Sequence, residues 1–436
     1  MRRAPVSGLA VRTARRSNLS TEPPKRQPLR RSDRPCRARS IRSDSDPIGA
    51  DTIQHAASPG LRAAVIGPGT IGRIHVDALR RNGVEVVSVV ASTIERAKAA
   101  ADSLCVPHAD ASLAAALDRS LDAVHICVPN ALHRELVLQA LQHNVHVVCE
   151  KPLGVDVVEA ADLSTAAREA GGVHAVCFNN RFYPLVQEIA ARRREGLLGR
   201  TFLVRASIAD DTLWHRQDWD WRLDPSIGGP TVVTSTTGSH LVDLVMFLLG
   251  DRPTAVCATF GTAHVDRQPP ASKGSEPRVP PGSYRDDLAG LLVRFSNGTQ
   301  AVLSLSHVAA GHPYRVHVEI DAELAGVSWD SERPNELWIG HRDEPNEMLV
   351  ADPRHMRPDA QRFVEKAGAY REGFDETFRL LFRDVYAHIA SGSDAPFPYP
   401  TFTDGYRQLV VHEAIQTSVA ERRWVDLDWS AFDSLV

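Results

Sequence analysis

The chain has 436 residues, 24% of them charged, and a formal net charge of -4 at pH 7. That is length for two domains with cores of their own, and a charge balance that calls for neither nucleic acid nor an anionic membrane as partner. No apolar run reaches the roughly 18 residues of a membrane-spanning helix, so a cytoplasmic protein is expected. Six cysteines include no C-x-x-C pair, and the histidines show no H-E-x-x-H. Buried thiols in a reducing compartment are expected, without a disulfide frame and without a metal.

Residues 1–60 are rich in Arg, Ser and Pro and lack aliphatic periodicity, so no core offsets the entropy of ordering them and a disordered leader is expected. Paired arginines and an acid-poor composition also occur in targeting leaders, but no apolar stretch follows Arg15 and Arg16. A dispensable extension is the reading preferred.

From Leu61 the pattern changes to alternating strand and helix. Ala63, Ala64, Val65 and Ile66 run into Gly67, Gly69 and Gly72, spaced G-x-G-x-x-G, and a helical pattern follows through Ile71, Ile74 and Leu79. In a strand–turn–helix of this kind the first glycine permits a tight turn, the second admits a pyrophosphate to the backbone, and the third lets helix pack on strand. Thr70 and Ile71 supply amides of the first helical turn. Val84–Val90, Leu121–Val128 and His146–Cys149 are further apolar runs of the sort buried on both faces of a parallel sheet. Helices are expected at Ile94–Asp102, after Asn130, and at Asp156–Ala170. The carboxyl edge of that sheet would carry the glycine loop, residues 91–94, 129–133 and 150–152.

A strand (Val173–Phe178) and a helix (Leu185–Arg194) follow, and then the grammar changes. Phe202–Ile208, Ala255–Thr262, Asp287–Phe295, Thr299–Ser306 and Tyr314–Ile320 are strand-like runs without long helices between most of them. Ser296-Asn297-Gly298 has hairpin-turn composition. An antiparallel sheet and a second, α+β domain are expected. Arg267–Ser283 holds five prolines and reads as a surface loop, and helices at Asp375–Ser391 and Asp404–Glu421 close the chain.

Three stretches carry candidate chemistry. Glu150-Lys151-Pro152 ends a strand on the glycine-loop edge, where a lysine can donate to a substrate hydroxyl and favour its alkoxide; a surface lysine before a proline bend is the plain alternative. His240 lies in or just before an apolar helix with Asp243 one turn later. It is either the proton acceptor of an alcohol oxidation or a helix-start residue satisfied by backbone. Residues 214–222 hold three tryptophans among carboxylates and arginines. Indole faces stack on sugar C–H surfaces while Asp and Arg take hydroxyls, so a carbohydrate pocket is the sharper reading and an interface patch the second.

In this order, AAVIGPGTIG, VHICVPNALHRELVLQAL, VHVVCEKPLG, FNNRFYP, GGPTVVTSTTGSH, FDETF and DGYRQLVVHEAIQTS resemble the Gfo/Idh/MocA (glucose–fructose oxidoreductase / inositol dehydrogenase-like) family over about Leu61 to Leu427. The resemblance implies an α/β Rossmann domain over 61–180 and an α+β domain over 181–436, with a large, mostly antiparallel open sheet that pairs subunits into dimers or tetramers. The last helices would be placed to pack back on the first domain. It further implies NAD(P)-dependent redox chemistry on a secondary hydroxyl of a sugar, sugar derivative or cyclitol. Lys151 and His240 match the family's catalytic residues. Gly67, Gly69, Thr70, Ile71, Gly72, Ser92, Thr93, Pro129, Asn130, His133, Glu150 and Lys151 are expected at the cofactor. Arg181, Trp214, Asp218, Trp219, Arg222, Thr236, His240 and Asp243 are expected at the substrate.

The chain departs from the family's pattern twice. The family's aspartate four residues before the histidine is here Thr236, whose hydroxyl can bond a substrate but is no base near neutral pH. The acid about 20 residues beyond the glycine loop that would bind a ribose 2′-hydroxyl is missing. The strand ends in Ala91-Ser92-Thr93, which leans the expectation towards NADP over NAD. Two other readings stay open: a glycosidase using transient NAD-dependent sugar oxidation, and a non-catalytic sugar- and dinucleotide-binding regulator.

Overall fold

The computed structural model describes residues 60–265, 267, 286–366, 370–392 and 395–435. The leader and all of the proline-rich segment except Arg267 lie outside the described residues. In chain order come β1 (Arg62–Ile66), α1 (Thr70–Arg81), β2 (Glu85–Val90), α2 (Ile94–Leu104), β3 (His108–Asp110), α3 (Leu113–Leu117), β4 (Ala123–Ile126), α4 (His133–Gln142), β5 (His146–Cys149), α5 (Val157–Ala170) and β6 (His174–Val176). These strands form a six-stranded, all-parallel sheet in the order β3-β2-β1-β4-β5-β6. Strand order reverses between β1 and β4, and the loops after both open on the carboxyl edge, where such sheets bind ligands. β2 is buried along its length after Glu85, as its unbroken valine run predicts.

The chain continues through α6 (Pro184–Arg194), β7 (Thr201–Ala209), α7 (Pro225–Gly228), α8 (Val233–Leu249), β8 (Pro253–Gly261), β9 (Leu288–Phe295), β10 (Gln300–Ser306), β11 (Arg315–Ala322), β12 (Gly326–Asp330), β13 (Glu336–Gly340) and β14 (Glu347–Val350). It ends in α9 (Pro358–Gln361), α10 (Phe374–Ser391), α11 (Phe402–Glu421), β15 (Val425–Asp426) and α12 (Ser430–Leu435). The second sheet has nine strands, in the order β14-β13-β12-β11-β7-β10-β9-β8-β15. All its pairs are antiparallel except β7 with β10, because the β9–β10 hairpin inserts its second strand beside β7 in the same direction. The sheet is therefore mixed, not purely antiparallel. β12, β13 and β14, which extend it, are short and were not expected from the sequence. The hairpin turn is at Ser296-Asn297-Gly298, with Gly298 at φ +87°.

α8 and α11 lie in the core with the inward residues of β7, β9, β10 and β11, and Phe378, Phe382 and Tyr386 of α10 pack with Val76 and Leu79 of α1. Pro225–Leu249 is long and apolar enough by composition to cross a membrane, contrary to the sequence expectation, yet 89% of its apolar window is buried inside the protein. Its hydropathy is that of a core helix. Of the residues of α8, all but Thr236 and Phe247 are buried. Those two lie about three turns apart along nearly the same face of the helix.

Candidate active site

The glycine loop connects β1 to α1. Gly67 has φ +86°, and a Cβ there would stand 2.4 Å from the Cys127 carbonyl oxygen; one on Gly72 would stand 2.2 Å from that of Gly67. Around Gly69 a Cβ would meet nothing within 4 Å. Gly69 is also the N-cap of α1, with no side chain capping it, so the amides of Thr70 and Ile71 keep the outward N–H groups of a first turn. One face of the loop is packed shut and the other is an open, positively polarised cradle. Those features fit a dinucleotide pyrophosphate.

At the end of β2, Thr93 caps α2 by accepting from the Arg96 amide at 3.3 Å. The Arg96 guanidinium donates to Ser92 Oγ at 3.1 Å. A cation and two hydroxyls thus meet where a ribose-binding acid is missing. Sequence reading passed over Arg96, which looks like any exposed helix arginine until its contact with Ser92 is seen.

After β4, the Asn130 side chain donates to the Gly228 carbonyl at 2.8 Å and so ties the Pro129-Asn130 turn to α7. His133 is fully buried, each ring nitrogen 2.9 Å from a backbone carbonyl, of Pro152 and of Val128. It braces the two turns. Glu150 accepts from the Lys151 amide at 3.2 Å and lies 3.1 Å from His75 Nε2. It too supports the turn from below instead of facing a cofactor.

Lys151 Nζ donates to the Thr236 carbonyl oxygen at 2.9 Å. Burial pushes this amine down to about 8, against the pull of the Glu150 charge and with the help of Arg222. The Thr236 hydroxyl bonds back to Val232 of its own helix at 2.5 Å. The sequence expectation of a hydroxyl offered to substrate is therefore corrected: it is the carbonyl of Thr236 that faces Lys151. One turn on, His240 is inside the helix, not at its start. Burial, and then the charge of Lys151, hold its imidazole well below the usual range, so it is neutral. Among the described residues its Nδ1 is buried without a hydrogen-bond partner. A cationic donor and an unprotonated ring nitrogen are thus neighbours.

Arg181 and Asp243 are placed elsewhere. Arg181 Nε donates to Asp243 at 2.8 Å, its second nitrogen reaches the other oxygen, and Asp404 adds a contact at 3.2 Å. Arg181 and Asp404 line a cavity of about 990 Å³ at the Phe247 end of α8, which neither Lys151 nor His240 lines. Both carboxylate oxygens of Asp243 are taken by the guanidinium, as a buried charge requires.

The tryptophan run is divided. Trp219 packs on Leu213, Leu223 and Val232 as a small satellite core, and Asp218 accepts from the His215 amide at 2.6 Å inside its own turn. Trp214 is 46% exposed. Arg222 stacks on Trp221 at 4.3 Å, bonds Asp220 at 2.9 Å, and is the member of the run whose charge is felt at Lys151. Trp219 and Asp218 thus have partners within the loop.

Several contributors were missed. Asp210, at the end of β7, is buried against His307 at 2.8 Å and also acts on Lys151. Asp286 accepts from the Val232 and Thr234 amides at 2.6 and 3.1 Å and so fixes the start of α8. Arg267, expected on the surface, is 1% exposed, pairs with Asp287 at 3.0 Å and clamps the carbonyls of Leu213 and His215. Among the described residues, His75, Glu150 and Cys177 also bring three heteroatoms within 4.8 Å of one another. They come from α1, from the end of β5 and from the end of β6, a combination that no sequence spacing displays, and His75 and Glu150 are already hydrogen-bonded to each other.

Comparison with known proteins agrees with this geometry. Residues 61–178 match the model of the oxidoreductase family with an NAD-binding Rossmann fold, and residues 186–326 match the GFO/IDH/MocA C-terminal domain. Levoglucosan dehydrogenase of Pseudarthrobacter phenanthrenivorans is 26% identical over 331 residues, covering 71% of this chain and 81% of that one. Inositol 2-dehydrogenase of Rhizobium meliloti is 24% identical over 369 residues, covering 84% and 99%. A solved levoglucosan dehydrogenase in complex with NADH and levoglucosan superposes with a TM-score of 0.77 at 26% identity, over 84% of this chain and 99% of that one. The chain belongs to the Gfo/Idh/MocA family of oxidoreductases.

Proposed function

We propose that the protein transfers a hydride between a secondary hydroxyl of a sugar, sugar derivative or cyclitol and the C4 of a nicotinamide dinucleotide. The observation that carries this reading is the pairing of the Lys151 ammonium, held 2.9 Å from the Thr236 carbonyl, with a neutral His240 on the same helix. When bound, the nicotinamide supplies the hydride acceptor or donor. Lys151 donates a hydrogen bond to the substrate oxygen and stabilises negative charge on it. In the oxidising direction His240 accepts the hydroxyl proton on a ring nitrogen, and in the reducing direction it returns that proton. Arg222 and the exposed face of Trp214 border the substrate.

NADP is the preferred cofactor on this reading, because Arg96 and Ser92 suit a 2′-phosphate and Ala91, directly after β2, brings no carboxylate to a 2′-hydroxyl. A reducing compartment such as the cytoplasm is supported by the thiols of Cys127, Cys149, Cys177 and Cys257, none of them in a disulfide. Exposed apolar side chains on the second sheet, Phe202, Leu292 and Val302 among them, support a homo-oligomer joined through that sheet. A panel of sugars, anhydrosugars and cyclitols assayed with NAD and with NADP by nicotinamide absorbance tests the reading. Turnover with at least one of them is expected. Binding of sugar and cofactor with no absorbance change across the panel would overturn it.

A further inference from the structure

Beneath the Glu150-Lys151 turn runs a buried hydrogen-bonded chain that the proposed chemistry does not use. Tyr386 Oη of α10 lies 3.0 Å from His125 Nε2, His125 Nδ1 lies 2.9 Å from His75 Nδ1, and His75 Nε2 lies 3.1 Å from Glu150 Oε1. Tyr386, His125 and His75 have no exposed surface, and Glu150 keeps 9%. The ends fix the direction of the protons. Burial holds the Tyr386 hydroxyl protonated and His125 neutral. Burial also pushes the Glu150 carboxyl up, but the His75 hydrogen bond and the Lys151 charge outweigh it and keep the group ionised.

An ionised carboxylate only accepts, so His75 Nε2 carries a hydrogen. In the neutral tautomer that leaves a lone pair on His75 Nδ1, His125 Nδ1–H donates to it and Tyr386 O–H donates to His125 Nε2. The Cys127 thiol, kept protonated by burial, points at the same His75 lone pair from 3.2 Å. Every member agrees on one tautomer.

We propose that His75 is a positioning residue for Lys151: by donating to Glu150 it fixes the carboxylate on which the Lys151 amide rests, and so holds the Lys151 ammonium against the Thr236 carbonyl. The role given to Lys151 rests on the proposed function, but the hydrogen-bond chain does not. Besides Glu150, the groups facing Lys151 are Arg222, Asp210, Cys177 and His240. Those facing Glu150 and His75 are His125, His133, Cys127, Cys149 and Cys177. None is altered in the variants below.

The chain contains five lysines, so isotope-labelled reductive methylation gives a small set of amine resonances, of which Lys151→Arg identifies one. Titrated without substrate or cofactor, that resonance is expected near 8 in the wild type. His75→Leu and Glu150→Gln are each expected to move it down by about one unit, and together by no more than either alone. His75→Gln, which keeps an N–H at the Nε2 position, is expected to titrate as wild type. An unmoved resonance in His75→Leu, or additive shifts, would overturn the proposal. Nitrogen spectra of the wild-type imidazoles need no variant to fold: His75 must appear with a hydrogen on Nε2, and an unprotonated Nε2 would overturn the proposal. One equivalent of bound zinc in the purified protein would overturn it as well, because the metal would displace the His75 hydrogen. Failure of every sugar in the panel would end the functional reading and leave these measurements standing.

Discussion

The Lys151 ammonium donates to the carbonyl oxygen of Thr236 at 2.9 Å, a bond that spans from the edge of the first sheet to the central helix of the second domain. Replacing Lys151 by alanine is expected to lower kcat about 10²- to 10³-fold, the cost of removing one preorganised donor to a developing oxyanion. Cofactor affinity, read by quenching of intrinsic fluorescence, should change little, because the glycine loop is untouched. The pH dependence follows from the direction of the shift. An amine lowered to about 8 is a cation below that pH and loses its proton above it, so kcat should fall on the alkaline side with an apparent midpoint near 8. His240, neutral throughout, adds no acid limb near neutrality. A profile flat from 7 to 10 would contradict the assignment of Lys151.

Thr236→Val separates two uses of the same residue. If the hydroxyl bonded substrate, its loss would be severe. In the structure the hydroxyl bonds back to Val232 and only the main-chain carbonyl meets Lys151. The valine variant is therefore expected to keep kcat/KM within about threefold of wild type, since such back-bonding contributes little to a helix. A loss of a hundredfold would restore the hydroxyl to the reaction.

What could be read in advance depended on whether a residue's chemistry announces itself locally. Lys151 and His240, which the structure brings to neighbouring positions, stand in motifs visible in the sequence, and the parallel pairing of β1, β2, β4 and β5 followed from apolar runs punctuated by glycine and proline. Asp243 drew notice as an acid in an apolar helix, but its partner Arg181 lies 62 positions earlier, and pairing at that distance leaves no periodic trace. Arg267 was hidden by its proline-rich neighbours, and its burial depends on Asp287 and on carbonyls of the tryptophan loop. Trp219 had the right composition for a sugar platform, yet apolar neighbours on the same loop gave its ring a closer surface to cover.

The two outer glycines of the loop should behave in opposite ways to the central one. Gly72→Ala places a methyl 2.2 Å from a backbone oxygen that cannot move without disturbing β1, and a loss of about 1–3 kcal/mol in stability is expected. Gly69→Ala meets no atom within 4 Å and should leave thermal stability unchanged. Its methyl instead enters the space a pyrophosphate would fill, so the expected defect is in dinucleotide affinity alone. Thermal melts with and without cofactor check both, and destabilisation by Gly69→Ala would show that the open face of the loop is not a ligand face.

Arg96 provides the test of cofactor choice. Its guanidinium is 3.1 Å from Ser92 Oγ at the end of β2, where Ala91 occupies the strand's last turn position and brings no carboxylate. A charge-assisted contact of this kind is worth a factor of about 10 to 100 in affinity when its charge partner is present. Arg96→Gln is therefore expected to raise KM for NADP by that factor and to leave KM for NAD nearly unchanged, because the 2′-hydroxyl offers no charge to lose. Ala91→Asp should act in the complementary direction, repelling a 2′-phosphate while accepting from a 2′-hydroxyl. Steady-state kinetics with both dinucleotides on one substrate decide the matter: equal effects of Arg96→Gln on the two would place the guanidinium outside the ribose site, whatever sugar the enzyme oxidises.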